Sequence, residues 1–294
     1  MMYLKRQATG KLLLLLILYL FLITGCASNK SAAPAEEELL YYPVRHLVFI
    51  GIDGWGGAYT SKAKMPAAKQ MMAEGASSMK MKCIMPSNSW ENWLAFFNGT
   101  PPEQINSDQF PSIFTIVNEN YPASKPVFFF EWSDLDEICS SETAEKIRIL
   151  SDIESAQKVA SYIIENKPVF TAVVFNEPDE TGHRDRWGSK AYYDKLTELD
   201  GLIAIIKQAV IDAGIYENTV FVLSSDHGGT FWGHGFNITK QRQIPLIIYG
   251  KGIKQGVNIP KPGLIYNIAP TMAAILDLEV PPEWTGQTLW SVFK

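Results

Sequence analysis

Two short runs of this sequence concentrate imidazole and carboxylate side chains, Asp179-Glu-Thr-Gly-His183 and Asp226-His227-Gly-Gly-Thr-Phe-Trp-Gly-His234, and they hold three of the chain's four histidines. Imidazole nitrogens and carboxylate oxygens are the ligands that zinc accepts in catalytic sites. A further candidate, Asp53, stands far upstream at the end of an apolar run. Two ions held about 4 Å apart clamp both oxygens of an in-line displacement at phosphorus. These residue types therefore point to metal-assisted cleavage of a phosphate ester.

A nucleophile is visible in Pro86-Ser87-Asn88-Ser89-Trp90-Glu91-Asn92-Trp93. Residues 90–97 have a helical pattern, with Gly99 beyond their end. The structural reading of the preceding polar residues is N-capping, and Asn88 with Glu91 resembles a capping box. The same position suits chemistry, because a helix N-terminus offers free N–H groups and a positive dipole end to phosphate. A serine there, touching a metal, can lose its proton and attack phosphorus. Spacing by itself does not choose between Ser87 and Ser89.

The elements that must position these groups read as alternating strands and helices. Residues 46–52, 126–130, 169–175, 219–223 and 245–249 are short, β-branched or aromatic, and apolar on both faces. Strands buried on both sides of a mainly parallel sheet read this way. Helical patterns cover 67–74, ending at Gly75 as a C-cap candidate, then 152–165, 192–213 and 270–276. The alternation predicts an α/β fold, a three-layer sandwich around a central, mostly parallel sheet. Asp53, Asp179 and Asp226 with His227 then follow three strands, and open α/β sheets place ligand sites beyond the carboxyl ends of their strands. Singly, each has a bland reading: Asp53-Gly54 is an ordinary turn dipeptide, and His46 begins a strand with no acidic partner nearby. Their joint occurrence is the signal. Trp55, Trp90, Trp93, Trp187 and Trp232 also lie near the motifs; packing is the first reading for them, and stacking on a base or sugar the second.

The first residues address location. Lys5, Arg6 and Lys11 precede an apolar run over 12–23 that is short for a membrane span, as in a signal peptide. Ile23-Thr24-Gly25-Cys26 looks like a bacterial lipobox, so residues 1–25 are expected to be removed and Cys26 lipidated. An Ala-, Ser- and Glu-rich tether over 26–43 then leads to a catalytic domain over 44–294, held by lipid in the cell envelope outside the cytoplasm. The formal charge of −5 becomes more negative without the basic leader, which gives no support to a nucleic-acid backbone binder. Cys83 and Cys139 remain, a permitted disulfide or two unpaired buried thiols.

With these motifs in place, the chain resembles the alkaline phosphatase superfamily, and most closely its nucleotide pyrophosphatase/phosphodiesterase branch. The resemblance rests on Phe49-Ile-Gly-Ile-Asp53-Gly54, the Ser89 block with Asn92 three residues on, Glu177-Pro-Asp179-Glu-Thr-Gly-His183, and Ser225-Asp226-His227-Gly228. The tail from Asn267-Ile-Ala-Pro to Gly286-Gln-Thr-Leu is similar to the superfamily's closing segment. The resemblance implies two divalent ions, zinc first and manganese as an alternative. One would be held by Asp179, His183 and His234, and the other by Asp53, Asp226 and His227, with Ser89 as nucleophile and ligand. It also implies substrate contacts from Asn92 and Asn106. A small phosphate ester or nucleotide-like molecule would be the substrate, cleaved through a phosphoseryl intermediate. Departures are Ser89 where the branch commonly has Thr, Glu91 where it has Pro, and His234 only seven residues beyond His227. A sulfatase would need Pro and Arg after its modified residue, and Ser89-Trp-Glu-Asn-Trp has neither. A phosphomonoesterase, a phosphoryl-headgroup transferase and a lipid-anchored, non-enzymatic phosphate-ester binding protein are the alternatives on the same core. Arg184 and Arg186 could supply the clamp that a monoester requires, or be solvated surface.

Overall fold

A computed structural model of the chain describes residues 45–107, 109–261 and 263–294. The leader over 1–25, the lipobox Cys26 and the tether over 26–43 lie outside the described residues.

The apolar runs form strands where the pattern predicts them. In chain order the strands are β1 (His46–Ile52), β2 (Ala76–Lys82), β3 (Val127–Phe130), β4 (Glu145–Arg148), β5 (Phe170–Phe175), β6 (Thr219–Ser224), β7 (Gln243–Gly250) and β8 (Val257–Asn258). They join in one sheet of order β4-β3-β5-β1-β6-β7-β2-β8. The pairings around β1 are parallel, and β7 runs antiparallel to both β6 and β2. The sheet is therefore mostly parallel.

The helices are α1 (Pro66–Glu74), α2 (Ser89–Asn98), α3 (Ile113–Asn120), α4 (Ile153–Asn166), α5 (Asp179–Asp185), α6 (Lys190–Asp212), α7 (Thr239–Arg242) and α8 (Ile268–Ile275). Successive side chains of a strand point to opposite faces, and β1 divides its residues accordingly. Leu47 and Phe49 enter a core with Trp93, Phe96, Phe114 and Met272, from α2, α3 and α8. Val48, Ile50 and Ile52 enter a second core with Met71, Val159 and Leu196, from α1, α4 and α6. The result is the expected three-layer α/β sandwich.

The differences from the sequence reading have local causes. β2 alternates burial along Ala-Ser-Ser-Met-Lys-Met-Lys, and β4, Glu-Lys-Ile-Arg, is a half-exposed edge strand, so neither is a continuous apolar run. Gly75 does not cap α1 in the left-handed conformation: its φ is −134°, and a Cβ there would lie 2.3 Å from the carbonyl oxygen of Ile248. Asn88 is the N-cap of α2 but makes no side-chain capping bond, so the capping-box expectation fails. No described helix is long and apolar enough to cross a membrane. Cys83 and Cys139 are both buried and free.

Candidate active site

β5, β1 and β6 are neighbours in the sheet, and Asp179, Asp53 and Asp226 follow their carboxyl ends. Ser89 arrives from the other side as the first residue of α2. Gly54 makes the approach possible: at φ +71° it turns the chain sharply, and a Cβ would sit 2.8 Å from the Asp179 Cα.

The six expected metal ligands come together. Asp53, Asp226 and His227 offer ligating atoms within 4.8 Å of one another, and so do Asp179, His227 and His234. His227 Nε2 is 3.3 Å from Asp226 Oδ2 and 3.5 Å from Asp53 Oδ1. His183 Nε2 lies 3.4 Å from Asp179 Oδ2 and 3.1 Å from His234 Nε2. The His227 and His234 rings stack at 3.8 Å between centroids. His227 thus reaches both groups, whereas the family pattern assigns it to one. Ser89 Oγ is 3.3 Å from Asp53 Oδ1 and 3.0 Å from His227 Nε2, while Ser87 faces away and bonds the backbone of residues 235 and 236. Of the two serines, Ser89 is the one that reaches the cluster.

The surroundings of these side chains fit divalent cations. Each ligand histidine places Nδ1 on a backbone carbonyl: His183 on Trp232 at 2.9 Å, His227 on Gly228 at 2.9 Å, His234 on Ser87 at 2.6 Å. A carbonyl only accepts, so Nδ1 carries the proton; Nε2 of each neutral ring then faces the cluster with its lone pair, and His183 donates from Nε2 to Asp179 only when its ring is protonated. The carboxylates are held at one oxygen likewise. Trp93 Nε1 donates to Asp53 Oδ2 at 3.0 Å, and the Gly54 N–H donates to Asp226 Oδ1 at 3.1 Å. Asp226 Oδ2 and Asp179 Oδ1 are buried without a hydrogen-bond partner. Buried carboxylate oxygens without a partner are costly, and here they face imidazole lone pairs, which a cation would satisfy together.

Charge tells the same story. Burial, then the Asp226 and Asp179 carboxylates, push Asp53 well above the usual carboxylate range. Burial also opposes ionisation of Asp179, but the hydrogen bond from His183 and the nearby imidazoles bring it below its ordinary value. His183 is raised by its hydrogen bond to Asp179. Burial, followed by the proximity of His227, lowers His234.

The two expected substrate contacts, Asn92 and Asn106, sit in different settings. Asn92 is buried, and its amide is committed to the loop before α2: Oδ1 accepts from the Ile84 N–H at 2.8 Å, and Nδ2 donates to the carbonyls of Asn88 at 2.9 Å and Pro86 at 3.2 Å. It shapes the turn that carries Ser89. Asn106 is exposed in the loop after Gln104. Of the five tryptophans near the motifs, Trp55, Trp93 and Trp187 are buried, Trp90 is half-buried against the core, and Trp232 is 59% exposed on the loop before His234. His46, read as structural, bonds the Pro168 carbonyl at 2.9 Å, and burial lowers its pKa.

Sequence reasoning missed the residues that shape the short step from His227 to His234. Thr230 and Gly233 exchange backbone hydrogen bonds of 2.9 and 3.1 Å, which makes a tight hairpin with Phe231 and Trp232 at its tip. Phe231 adopts φ +53°, unusual for a bulky residue. The carbonyls of that tip hold α5 and the turn beyond its end: Trp232 O accepts from His183, and Phe231 O from the Trp187 N–H at 2.8 Å. The Gly-Gly-Thr-Phe-Trp-Gly run was the only signal of this turn, and it carries no obvious turn dipeptide at the tip.

Comparison with known proteins agrees with this geometry. The family model described as Type I phosphodiesterase / nucleotide pyrophosphatase matches residues 47–105 and 116–241, more than half of the chain. Arylsulfatase K of Danio rerio is 31% identical over 100 residues, 32% of this chain and 18% of the relative. Bis(5'-adenosyl)-triphosphatase ENPP4 of Pongo abelii is 21% identical over 248 residues, 74% of this chain and 53% of the relative. The chain therefore spans at most about half the length of these curated relatives. Among solved structures, an inactive variant of murine ectonucleotide pyrophosphatase / phosphodiesterase 5 in complex with AMP superposes with a TM-score of 0.67 at 10% identity, covering 85% of this chain and 100% of that one. That likeness carries the fold. The matched segments contain every candidate ligand of the cluster and Ser89, and the chain belongs to the type I phosphodiesterase / nucleotide pyrophosphatase family.

Proposed function

We propose that the protein hydrolyses phosphodiesters or nucleotide-like pyrophosphates through a phosphoserine at Ser89. The observation that carries this reading is the place of Ser89 Oγ, at the N-terminus of α2 and within 3.3 Å of Asp53 Oδ1 and 3.0 Å of His227 Nε2. Asp53, Asp226 and His227 would hold one divalent ion with Ser89 as a further ligand, and Asp179, His183 and His234 the other. Bound zinc, or manganese, would supply the positive charge that lowers the serine pKa and neutralises charge growing at phosphorus.

The chain's own residues do the rest. The first-turn N–H groups of α2 point at the reacting phosphate and bind its non-bridging oxygens. Asp53 Oδ1 accepts the Ser89 hydrogen bond and marks the side from which the hydroxyl proton leaves. Ser89 Oγ attacks phosphorus, the bond to the leaving oxygen breaks, and water then cleaves the phosphoserine. Two arginines considered as a clamp for a doubly charged monoester are otherwise engaged. Arg184 bonds Asp185 at 2.8 Å and Thr181 at 3.2 Å, and Arg186 lies over the Trp232 ring at 5.8 Å. That favours a singly charged diester. The names of the relatives, a bis(5'-adenosyl)-triphosphatase and a phosphodiesterase with AMP, support nucleotide-like substrates. Ser89-Trp-Glu-Asn-Trp lacks the Pro and Arg of a sulfatase.

The test is a kcat/KM panel on the zinc-loaded protein with phosphate diesters, monoesters, nucleotide pyrophosphates and sulfate esters. Diesters and pyrophosphates are expected to lead; a preference for sulfate esters, or no turnover with metal bound, sinks the reading. We also place the protein on a membrane outside the cytoplasm through lipid on Cys26. Cys26→Ala should release it from the membrane fraction, and unchanged membrane retention would count against the anchor.

A further inference from the structure

His234 is delivered by a segment with no helix or strand of its own. From Gly229 to Ile238 the chain runs as hairpin and loop, and such segments take their position from the bonds that pin them. One buried side chain supplies several of these. Gln241, in α7, is 2% exposed. Its Oε1 accepts from the Phe236 N–H at 2.8 Å, and its Nε2 donates to Thr230 Oγ1 at 2.7 Å and to the Gly233 carbonyl at 3.2 Å. The partners lie on both sides of His234, so one amide braces its entry and its exit, beside the bonds that Ser87 makes to His234 Nδ1 and the Gly235 N–H.

The bonds of this side chain are confined to that segment. None reaches Asp53, Asp226 or His227, which are fully buried and held by Trp93, Gly54 and the Gly228 carbonyl. The side-chain supports of the two halves therefore differ, although His227 stacks on His234 and the Gln241 carbonyl accepts from the Gly228 N–H at 2.7 Å. The inner half, Asp53, Asp226 and His227, is fixed at strand ends. The outer half is more open, with the His183 side chain 46% exposed, and it depends on where the loop puts His234.

We propose that Gln241 is a positioning residue that sets the affinity of the outer metal position, Asp179, His183 and His234, far more than that of the inner one. The proposal rests on the metal reading of the cluster. Gln241→Leu keeps the volume but leaves the Phe236 N–H and the Thr230 hydroxyl without their buried partner, and the Gly233 carbonyl with the Thr230 N–H alone. The loop then relaxes and His234 Nε2 loses its fixed place beside His183. Loss of a partner that orients a ligand typically weakens metal binding by about tenfold to a hundredfold.

The experiment is a zinc titration of the full metal-free chain, followed by calorimetry and by a competing chromogenic chelator, on wild type, Gln241→Leu, Gln241→Glu and His234→Ala. Wild type is expected to take up zinc in two resolved steps. Gln241→Leu should weaken the second by about tenfold to a hundredfold and leave the first within about twofold. Gln241→Glu, which keeps an acceptor for Phe236 but no amide donor, should fall between, and His234→Ala should abolish the second step. If Gln241→Leu does not fold, the Glu variant decides alone. Two wild-type steps in a folded Gln241 variant, or equal weakening of both, overturn the proposal while leaving the metal reading intact. A wild-type chain that binds no zinc overturns the metal reading itself, and this proposal with it.

Discussion

Asp53 sits where burial and two carboxylate neighbours oppose its ionisation. Without a cation the folded chain therefore keeps a proton that the unfolded chain releases near pH 4. The sign comes from linkage: a folded pKa above the unfolded one gives stability that is full below the ordinary carboxylate range and is lost as pH rises through the folded value. Metal-free protein is thus expected to lose melting temperature as pH rises from about 4 towards neutrality. Zinc should restore it, by about 2.7 kcal/mol when free zinc is a hundredfold above its dissociation constant. Calorimetric melts with and without chelator check both; a metal-free melting temperature that rises with pH over that range would contradict the account of Asp53. For Ser89 the test separates chemistry from binding. Ser89→Ala should reduce kcat by several orders of magnitude with metal content close to wild type, because the aspartate and histidine ligands remain. Wild-type-like turnover would remove Ser89 from the role of nucleophile.

At the scale of elements, two supports come from outside the element they hold. α1 begins at Pro66 with Met65 as an N-cap that offers no side-chain bond. Its free N–H groups are met from α6, where Asp200 accepts from Ala68 at 2.8 Å and Ala67 at 2.9 Å. A helix cap is worth about 1 kcal/mol, so Asp200→Ala should lower unfolding free energy by about that much in urea melts, with kcat/KM unchanged. No loss of stability would show that the pair contributes nothing net. The 230–233 hairpin acts differently, because it points large rings outward. Phe231 and Trp232 at its tip, and Phe236 after His234, are 70%, 59% and 67% exposed, beside the outer ligands. Trp232→Ala is expected to lower kcat/KM about threefold to tenfold more for esters with a planar group than for small alkyl esters, the worth of one ring pair. Equal losses for both would place the ring outside the substrate's path.

For the whole molecule, one of the two cores, the one on the side of α2, α3 and α8, accounts for both cysteines. Burial pushes both the Cys83 and Cys139 thiols up to about 12. Little thiolate is present near neutral pH, and thiolate is the reactive form. Native protein at pH 8 should therefore resist alkylation at both sites, and denatured protein should label at both; rapid labelling of the folded chain would argue against the packing of that core. The strand β1, shared by the two cores, also explains why the site is a property of the assembled sheet. Asp53 is placed by β1, Asp179 by β5 and Asp226 by β6, which are far apart in the chain and adjacent only in the sheet.

What the sequence determined by itself was local. Continuous apolar runs named five of the strands, because burial on both faces leaves no other pattern, and β2 and β4 escaped because half of each faces solvent. The ligand types at Asp53, Asp179, His183, Asp226, His227 and His234 were legible because imidazole and carboxylate cluster in two short runs beyond strand ends. The tertiary structure decided the rest. It brought Ser89, the serine that the family resemblance picks, to the cluster, turned Ser87 toward residues 235 and 236, left Trp232 as the exposed tryptophan among those near the motifs, and folded seven residues so that His234 stacks on His227. These outcomes depend on bonds between residues distant in sequence, such as Ser87 with His234 or Trp187 with Phe231, whereas the bonds of Asn92 stay within its own loop. Periodicity records what a residue prefers to be buried in; it holds no record of which distant partner will meet a given donor, and that partner is what fixes a site.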